Sequence, residues 1–332
     1  MPARTEKARL LSVRGDWEQA VELTDSVLAQ DKHNIEALRL SALHQLVRVG
    51  GYEVAEARLG ALAEALRRNE PRNAQLYLAV ARPFVRLAGG DPRVLEVCER
   101  IVAQGRAIDA TSAPIMCEQA RLRELSGDLA GAAELYAQAG VENEMNFDAM
   151  LGAIRVQIKR GDLDSAASQL EFLEEMQASL GGGGVDNGTD GAGAVPTSAG
   201  LLSAMLAWRR GGDVSGAAAR LDEAAGLHLR ALRGRQTGYA YYTDLDAALL
   251  LEMAACYLEG AGSEPRTGSE AVDPLVGKAI SLLEAVGYSG LLFFFALYAC
   301  VKQQEAAAKP KVVVAPDEAE RLCTESRSAQ RG

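Results

Sequence analysis

Residues able to do chemistry are few in this chain and poorly spaced for it. The three histidines, His33, His44 and His228, are scattered, so no set converges as the ligands of a histidine-built metal centre must. The five cysteines (Cys98, Cys117, Cys256, Cys300 and Cys323) are odd in number and contain no C-x-x-C pair, which reads as thiols buried as small hydrophobes in a reducing compartment. The tetraglycine at 181–184 lacks the lysine of a phosphate loop and reads as linker. VDNGTDG at 185–191 lacks the alternating acids and distal glutamate of a calcium loop. Glu174 and Glu175 fall on a helix face that the apolar periodicity turns outward. The expectation is therefore no catalytic residue, no cofactor site, no metal site and no enzyme.

One group of residues has binding potential, and it is basic. Arg121, Arg155, Lys159, Arg209 and Arg210 are candidate groove-lining residues that could receive an acidic peptide or a partner helix. The plainer reading is that they complement the negative ends of helices and solvate the surface. The wider balance runs the other way: 35 Lys and Arg against 45 Asp and Glu give a net charge of −10 over 332 residues. That balance argues against a dedicated binder of nucleic acid or of anionic membranes, both of which need a basic footprint. The apolar run LLFFFALYACV at 291–301 is too short to span a bilayer, which takes about 20 residues as a helix. It reads as a buried helix, so no direct membrane insertion is expected.

The elements that position these residues come from a repeat. Gly-Asp, a bulky residue, two variable residues and Ala recur as GDWEQA at 15–20, GDLAGA at 127–132, GDLDSA at 161–166 and GDVSGA at 212–217, with a weaker GGYEVA at 50–55. The step from Gly15 to Gly50 is 35 residues and from Gly127 to Gly161 it is 34, and the longer step to Gly212 absorbs the Gly-rich stretch at 181–196 as a loop insertion. The Gly supplies the left-handed residue that ends one helix, and the Asp caps the next. Ala20, Ala55, Ala132, Ala166 and Ala217 then recur at one register, where small side chains let two antiparallel helices approach. The chain's 58 alanines and its aromatic content of 5% fit such close packing.

These units predict helical hairpins at about 5–31, 35–68, 73–106, 113–140, 147–179 and 198–232. A degenerate seventh pair uses 244–258 and 274–286, split by a second loop at 260–273. The fold class is all-α, a right-handed superhelical solenoid of tetratricopeptide-like hairpins over 1–287. Residues 288–332 supply an apolar helix and a tail outside the repeat pattern, and the final stretch reads as disordered. Pro83 is expected to kink or break the first helix of the third unit. Leu11, Val27 and Leu28 in the first unit are expected to lack an upstream neighbour that covers them.

The 34-residue hairpin resembles the tetratricopeptide repeat family. Residues that generic repeat packing does not demand, Glu70-Pro71-Arg72-Asn73-Ala74-Gln75 and Gln169-Leu170-Glu171-Phe172-Leu173, resemble the large tetratricopeptide-repeat subunits of intraflagellar transport complex A. The similarity runs from about residue 10 to 290 and thins after Arg230. It implies a non-catalytic scaffold, a fragment of a longer solenoid, that supports retrograde ciliary transport and ciliary membrane-protein trafficking. Its implied partners are the other complex A subunits, with ciliary membrane cargo or adaptors beyond them. The implied location is the cytoplasmic side of the cilium or flagellum and the basal body. The alternative is a cytoplasmic tetratricopeptide adaptor or assembly scaffold unrelated to cilia. The carboxylate clamp of chaperone-associated repeats needs Asn in adjacent first helices, where this chain has Glu118, Gly152 and Ser203.

Overall fold

Apolar residues at helical spacing, broken by Gly-Asp turns, can bury their stripes only by pairing helices, and the chain does so throughout. A computed structural model describes residues 2–179, 194–211, 214–261 and 274–287. Fifteen α-helices and no strand occur among the described residues. They are α1 (Pro2–Val13), α2 (Trp17–Gln30), α3 (Ile35–His44, continued by a π turn at Gln45–Val49), α4 (Tyr52–Asn69) and α5 (Ala74–Leu87). The middle of the chain forms α6 (Pro92–Ile108), α7 (Ala113–Leu125), α8 (Leu129–Glu142), α9 (Phe147–Arg160) and α10 (Leu163–Ser179). There follow α11 (Ala194–Arg209), α12 (Val214–Leu232), α13 (Tyr239–Asp244), α14 (Ala247–Gly260) and α15 (Pro274–Gly287).

Helices α1 to α12 pair in sequence as six antiparallel hairpins, and α14 pairs with α15. The hairpins stack into a solenoid, because α2, α6, α8 and α10 each pack against the next first helix, α4 packs against α6, and the first helices α5, α7, α9 and α11 pack in a row. The turns behave as the motif requires: Gly15, Gly127 and Gly161 have φ of 81°, 86° and 89°, a region that side chains disfavour. The aspartates are less uniform. Asp128 accepts from the backbone N–H of Gly131 at 2.9 Å, whereas the Asp16 side chain makes no capping bond. Caps are more regular at the first helices, where Asn34, Asn73, Asn146 and Asp246 each accept a backbone N–H three residues on.

The recurring alanines are the points of contact. Ala20, Ala55, Ala132, Ala166 and Ala217 are all buried, as are Leu59, Leu62, Leu66, Ile101 and Leu173 around them. Each such leucine contributes roughly 1.5–3 kcal/mol relative to exposure. Two expectations need correction. Helix α5 runs unbroken through Pro83, because it is packed by α6, α7, α13 and α14, and this packing outweighs the lost N–H. Val27 and Leu28 are buried with Ala37 and Leu38 of α3, so the next hairpin covers them, while Leu11 is only half-buried. Most of the loop at 181–196 lies outside the described residues, though its last three residues already belong to α11. The loop at 260–273 is described only as far as residue 261, and the tail 288–332 lies wholly outside.

The solenoid also folds back on itself. Helix α13 packs against α1 and α5, and α14 packs against α5, α11 and α12, so this late segment lies on the face built by first helices. At one end Trp17 donates from Nε1 to the carbonyl of Thr237 at 3.0 Å and its ring meets Tyr242 with centroids 6.1 Å apart. Gly238 makes the approach possible, since a Cβ there would overlap the carbonyl oxygens of Ser12 and Val13.

Candidate functional site

Arg121 and Arg155 are 34 residues apart, and each stands nine residues beyond the N-cap of its helix, Ser112 for α7 and Asn146 for α9; Arg82 holds the same position after Asn73 on α5, and Arg86 lies one turn later. On α7, Glu124 follows Arg121 by three residues. On α9, Lys159 follows Arg155 by four, so each pair shares a helix face. Helix α14 brings Glu252 onto this surface. The result is a cluster of five charged side chains from three helices, joined by Tyr136 of α8.

Glu124 is the hub. It accepts from Arg155 Nε at 2.8 and 3.0 Å and from Lys159 Nζ at 2.7 Å, and Arg121 lies 3.1 Å away. Tyr136 donates its hydroxyl to Glu124 at 3.4 Å and accepts from Arg155 at the same distance. Glu252 accepts from Arg121 Nη2 at 3.1 Å and from Lys159 Nζ at 2.6 Å. Burial alone would raise the Glu124 carboxyl, but Arg155, Arg121 and Lys159 hold it at about 2. Glu252 is likewise pushed up by burial and carried well below the usual carboxylate range by Arg121, Arg155 and Lys159. Arg155 is opposed by burial and by Arg121, yet Glu124 leaves its guanidinium more firmly protonated than usual.

Beside this cluster lies a cavity of about 130 Å³, lined by Arg82, Arg86, Glu118, Arg121, Asp148 and Asp246 among others. Two of its charge pairs are already matched: Arg82 donates to Glu118 at 3.1 Å, and Arg86 lies 3.8 Å from Asp246. Burial raises the Glu118 carboxyl in spite of Arg82 and Arg86. Cys117 borders the same space, and burial first, then Asp148, pushes its thiol up to about 12, the opposite of an activated nucleophile. No group of three or more His, Cys, Asp or Glu placed to hold a metal occurs among the described residues. The cluster can hold helices in register, and Cys117 in the cavity beside it is not activated.

The five sequence candidates therefore divide. Arg121, Arg155 and Lys159 are brought together on the first-helix face, but they are not an open basic stripe. The helix they engage is the chain's own α14, through Glu252, and Arg155 is buried. Arg209 and Arg210 lie apart and cap backbone. Arg209 donates to the carbonyl of Ile158 at 2.7 Å in the last turn of α9. Arg210 donates to Leu163 O at 3.1 Å and to Asp164 at 2.6 Å. Sequence reasoning missed Glu124, Glu252, Tyr136 and Arg86. Arg86 stands one turn beyond the repeat position of Arg121 and Arg155, and Glu252 sits in the degenerate seventh hairpin, where no motif fixes the register.

Comparison with known proteins bears on what such a solenoid belongs to. Residues 57–302 match the tetratricopeptide repeat protein 21 second ARM domain, so 288–302, read above as outside the repeat pattern, fall within the matched domain. The chain is 31% identical over 288 residues to Tetratricopeptide repeat protein 21B of Mus musculus and 30% identical over 288 residues to that of Homo sapiens. It is 29% identical over 286 residues to Tetratricopeptide repeat protein 21A of Mus musculus. Each alignment covers 86% of this chain and 21% of the relative, so the chain spans about a fifth of the length of these proteins.

Proposed function

The chain belongs to the tetratricopeptide repeat protein 21 family, and from that premise we propose that it is a section of a non-catalytic scaffold subunit of intraflagellar transport complex A. The family match over most of the chain carries this reading. The geometry agrees with it: the charged groups of the first-helix face are matched to one another and fix the positions of helices. In this reading the solenoid presents its remaining surfaces to other complex A subunits and, through them or adaptors, to ciliary membrane cargo. It acts on the cytoplasmic side of the cilium or flagellum and at the basal body, in support of retrograde transport.

The test is affinity purification from ciliated cells of the tagged full protein and of a version lacking this section. Recovery of the other complex A subunits with the full protein, reduced or altered without the section, is the expected result. Recovery of cytoplasmic assembly factors in their place, while another tagged complex A subunit recovers the complex, would overturn the ciliary reading in favour of a general adaptor.

A further inference from the structure

A second surface lies outside the Glu252 cluster, where α10 and α12 flank α11. The two flanking helices do not pack against each other, and between them runs a groove of about 580 Å³. That size falls within the range of about 300–1,000 Å³ typical of binding clefts. Its floor is one face of α11: Ala199, Ser203 and Ala207 recur every four residues, with Leu170 and Leu206 beneath. Gly200 sets the depth, because a Cβ there would come within 2.9 Å of Ala224 Cβ and hold α11 off α12.

The rim carries the sign. Glu171 and Glu174 of α10 and Glu223 of α12 line the groove, all three are exposed, and none has a cation within 4.0 Å among the described residues. Of the two arginines at the groove, Arg210 is engaged outside it with Asp164 at 2.6 Å, and Arg220 donates to the Ser203 hydroxyl of the floor at 2.6 Å, so neither pairs with the three glutamates. A narrow floor of small residues admits the apolar edge of one more helix, and unpaired carboxylates on both walls favour Lys or Arg along its flanks.

We propose that this groove receives a basic amphipathic helix of a partner protein, its small or apolar side chains on α11 and its cations against Glu171, Glu174 and Glu223. The proposal rests on the scaffold reading but not on which complex the scaffold serves. Failure of the peptide test below would leave the complex A assignment standing, and failure of the purification would leave the groove.

The test titrates the whole chain with a labelled 18-residue helical peptide bearing an Ala/Leu face flanked by lysines, and with a twin whose lysines are glutamates, by fluorescence anisotropy. The lysine peptide is expected to bind at least tenfold more tightly than its twin. The triple reversal Glu171→Lys, Glu174→Lys, Glu223→Lys should invert that preference. The charge-matched reversal Glu18→Lys, Glu142→Lys, Glu144→Lys, at exposed sites away from the groove, should not. Equal loss from both triples, or no preference between the peptides, would overturn the proposal. So would a dimer in sedimentation that the groove triple dissolves, or peptide binding that strengthens when residues 181–193 are deleted, since the occupant would then be a second copy or the chain itself.

Discussion

Lys159 on α9 donates to Glu252 on α14 at 2.6 Å, a contact between residues 93 positions apart, and Arg121 on α7 reaches the same carboxylate at 3.1 Å. Glu252 therefore ties the late helix to two earlier hairpins. Removing it leaves two cations in a poorly solvated space, a loss of about 3–5 kcal/mol in comparable buried clusters. Glu252→Ala should lower the urea midpoint of the helical signal accordingly. Lys159→Met with Glu252→Leu removes one charge of each sign and should cost less than Glu252→Ala alone, with a coupling of about 0.5–3 kcal/mol in a double-mutant cycle. Additive costs would show that the pair does not act as a unit.

Two buried carboxylates on α7 should respond to acid in opposite directions. Glu124 is held at about 2 by three cations that outweigh its burial, so its contribution is full above the ordinary carboxylate value near 4.5 and is lost as pH falls from there towards about 2. Burial dominates at Glu118, whose carboxyl is raised; it favours the fold below 4.5 and loses that contribution as pH rises through its own elevated value. At pH 7, Glu124→Gln should destabilise by about 3–5 kcal/mol and flatten the acid limb of the stability curve. Glu118→Gln should be neutral or stabilising at the same pH. Chemical denaturation of both variants at pH 7 and pH 3.5 checks this, and equal losses at pH 7 would refute it.

The closure between the first hairpin and the segment before α13 depends on a missing side chain. Gly238 has φ −108°, which any residue adopts, so the constraint is steric: a Cβ would overlap the carbonyls of Ser12 and Val13. Gly238→Ala should push the α1–α2 turn away, weaken the Trp17–Thr237 bond and cost about 1–3 kcal/mol. Trp17 fluorescence should report the change, with more quenching by acrylamide than in the parent. Unaltered quenching would mean that the loop absorbs the methyl group without opening the closure.

Much of the fold was legible because a repeat states its nearest-neighbour packing in every copy. Ala132 and Ala166 mark the same helix contact twice, and Gly127 and Gly161 the same turn. Relations that skip neighbours are not written that way. Trp17 and Thr237 meet because the segment leading into α13 returns to the first-helix face beside α1, and no repeat motif encodes that path. Pro83 misleads for a related reason: its local effect on α5 is real, but helices on several sides hold the segment in one continuous helix. The basic residues were recognisable as a set at repeat spacing. Their acidic partner was not, since Glu252 lies in the hairpin whose motif has decayed.

Tyr136 and Gly152 offer the sharpest test that the charged cluster and the repeat packing are one construction. Gly152 lies on α9 directly beneath the Tyr136 ring, and a Cβ there would overlap the ring atoms. The same ring carries the hydroxyl that meets Glu124 and Arg155. In an ordinary helix interior, replacing Gly by Ala gains about 1 kcal/mol. Here Gly152→Ala should instead cost about 1–3 kcal/mol, because it drives the tyrosine off its seat in a packed core. Tyr136→Leu removes the obstructing ring at its own cost, and Gly152→Ala added to that background should be neutral or stabilising. The reversal of sign between the two backgrounds, read from urea midpoints in a double-mutant cycle, is the expected outcome. The same sign in both would mean that the steric conflict lies with the backbone of α9 and not with the tyrosine.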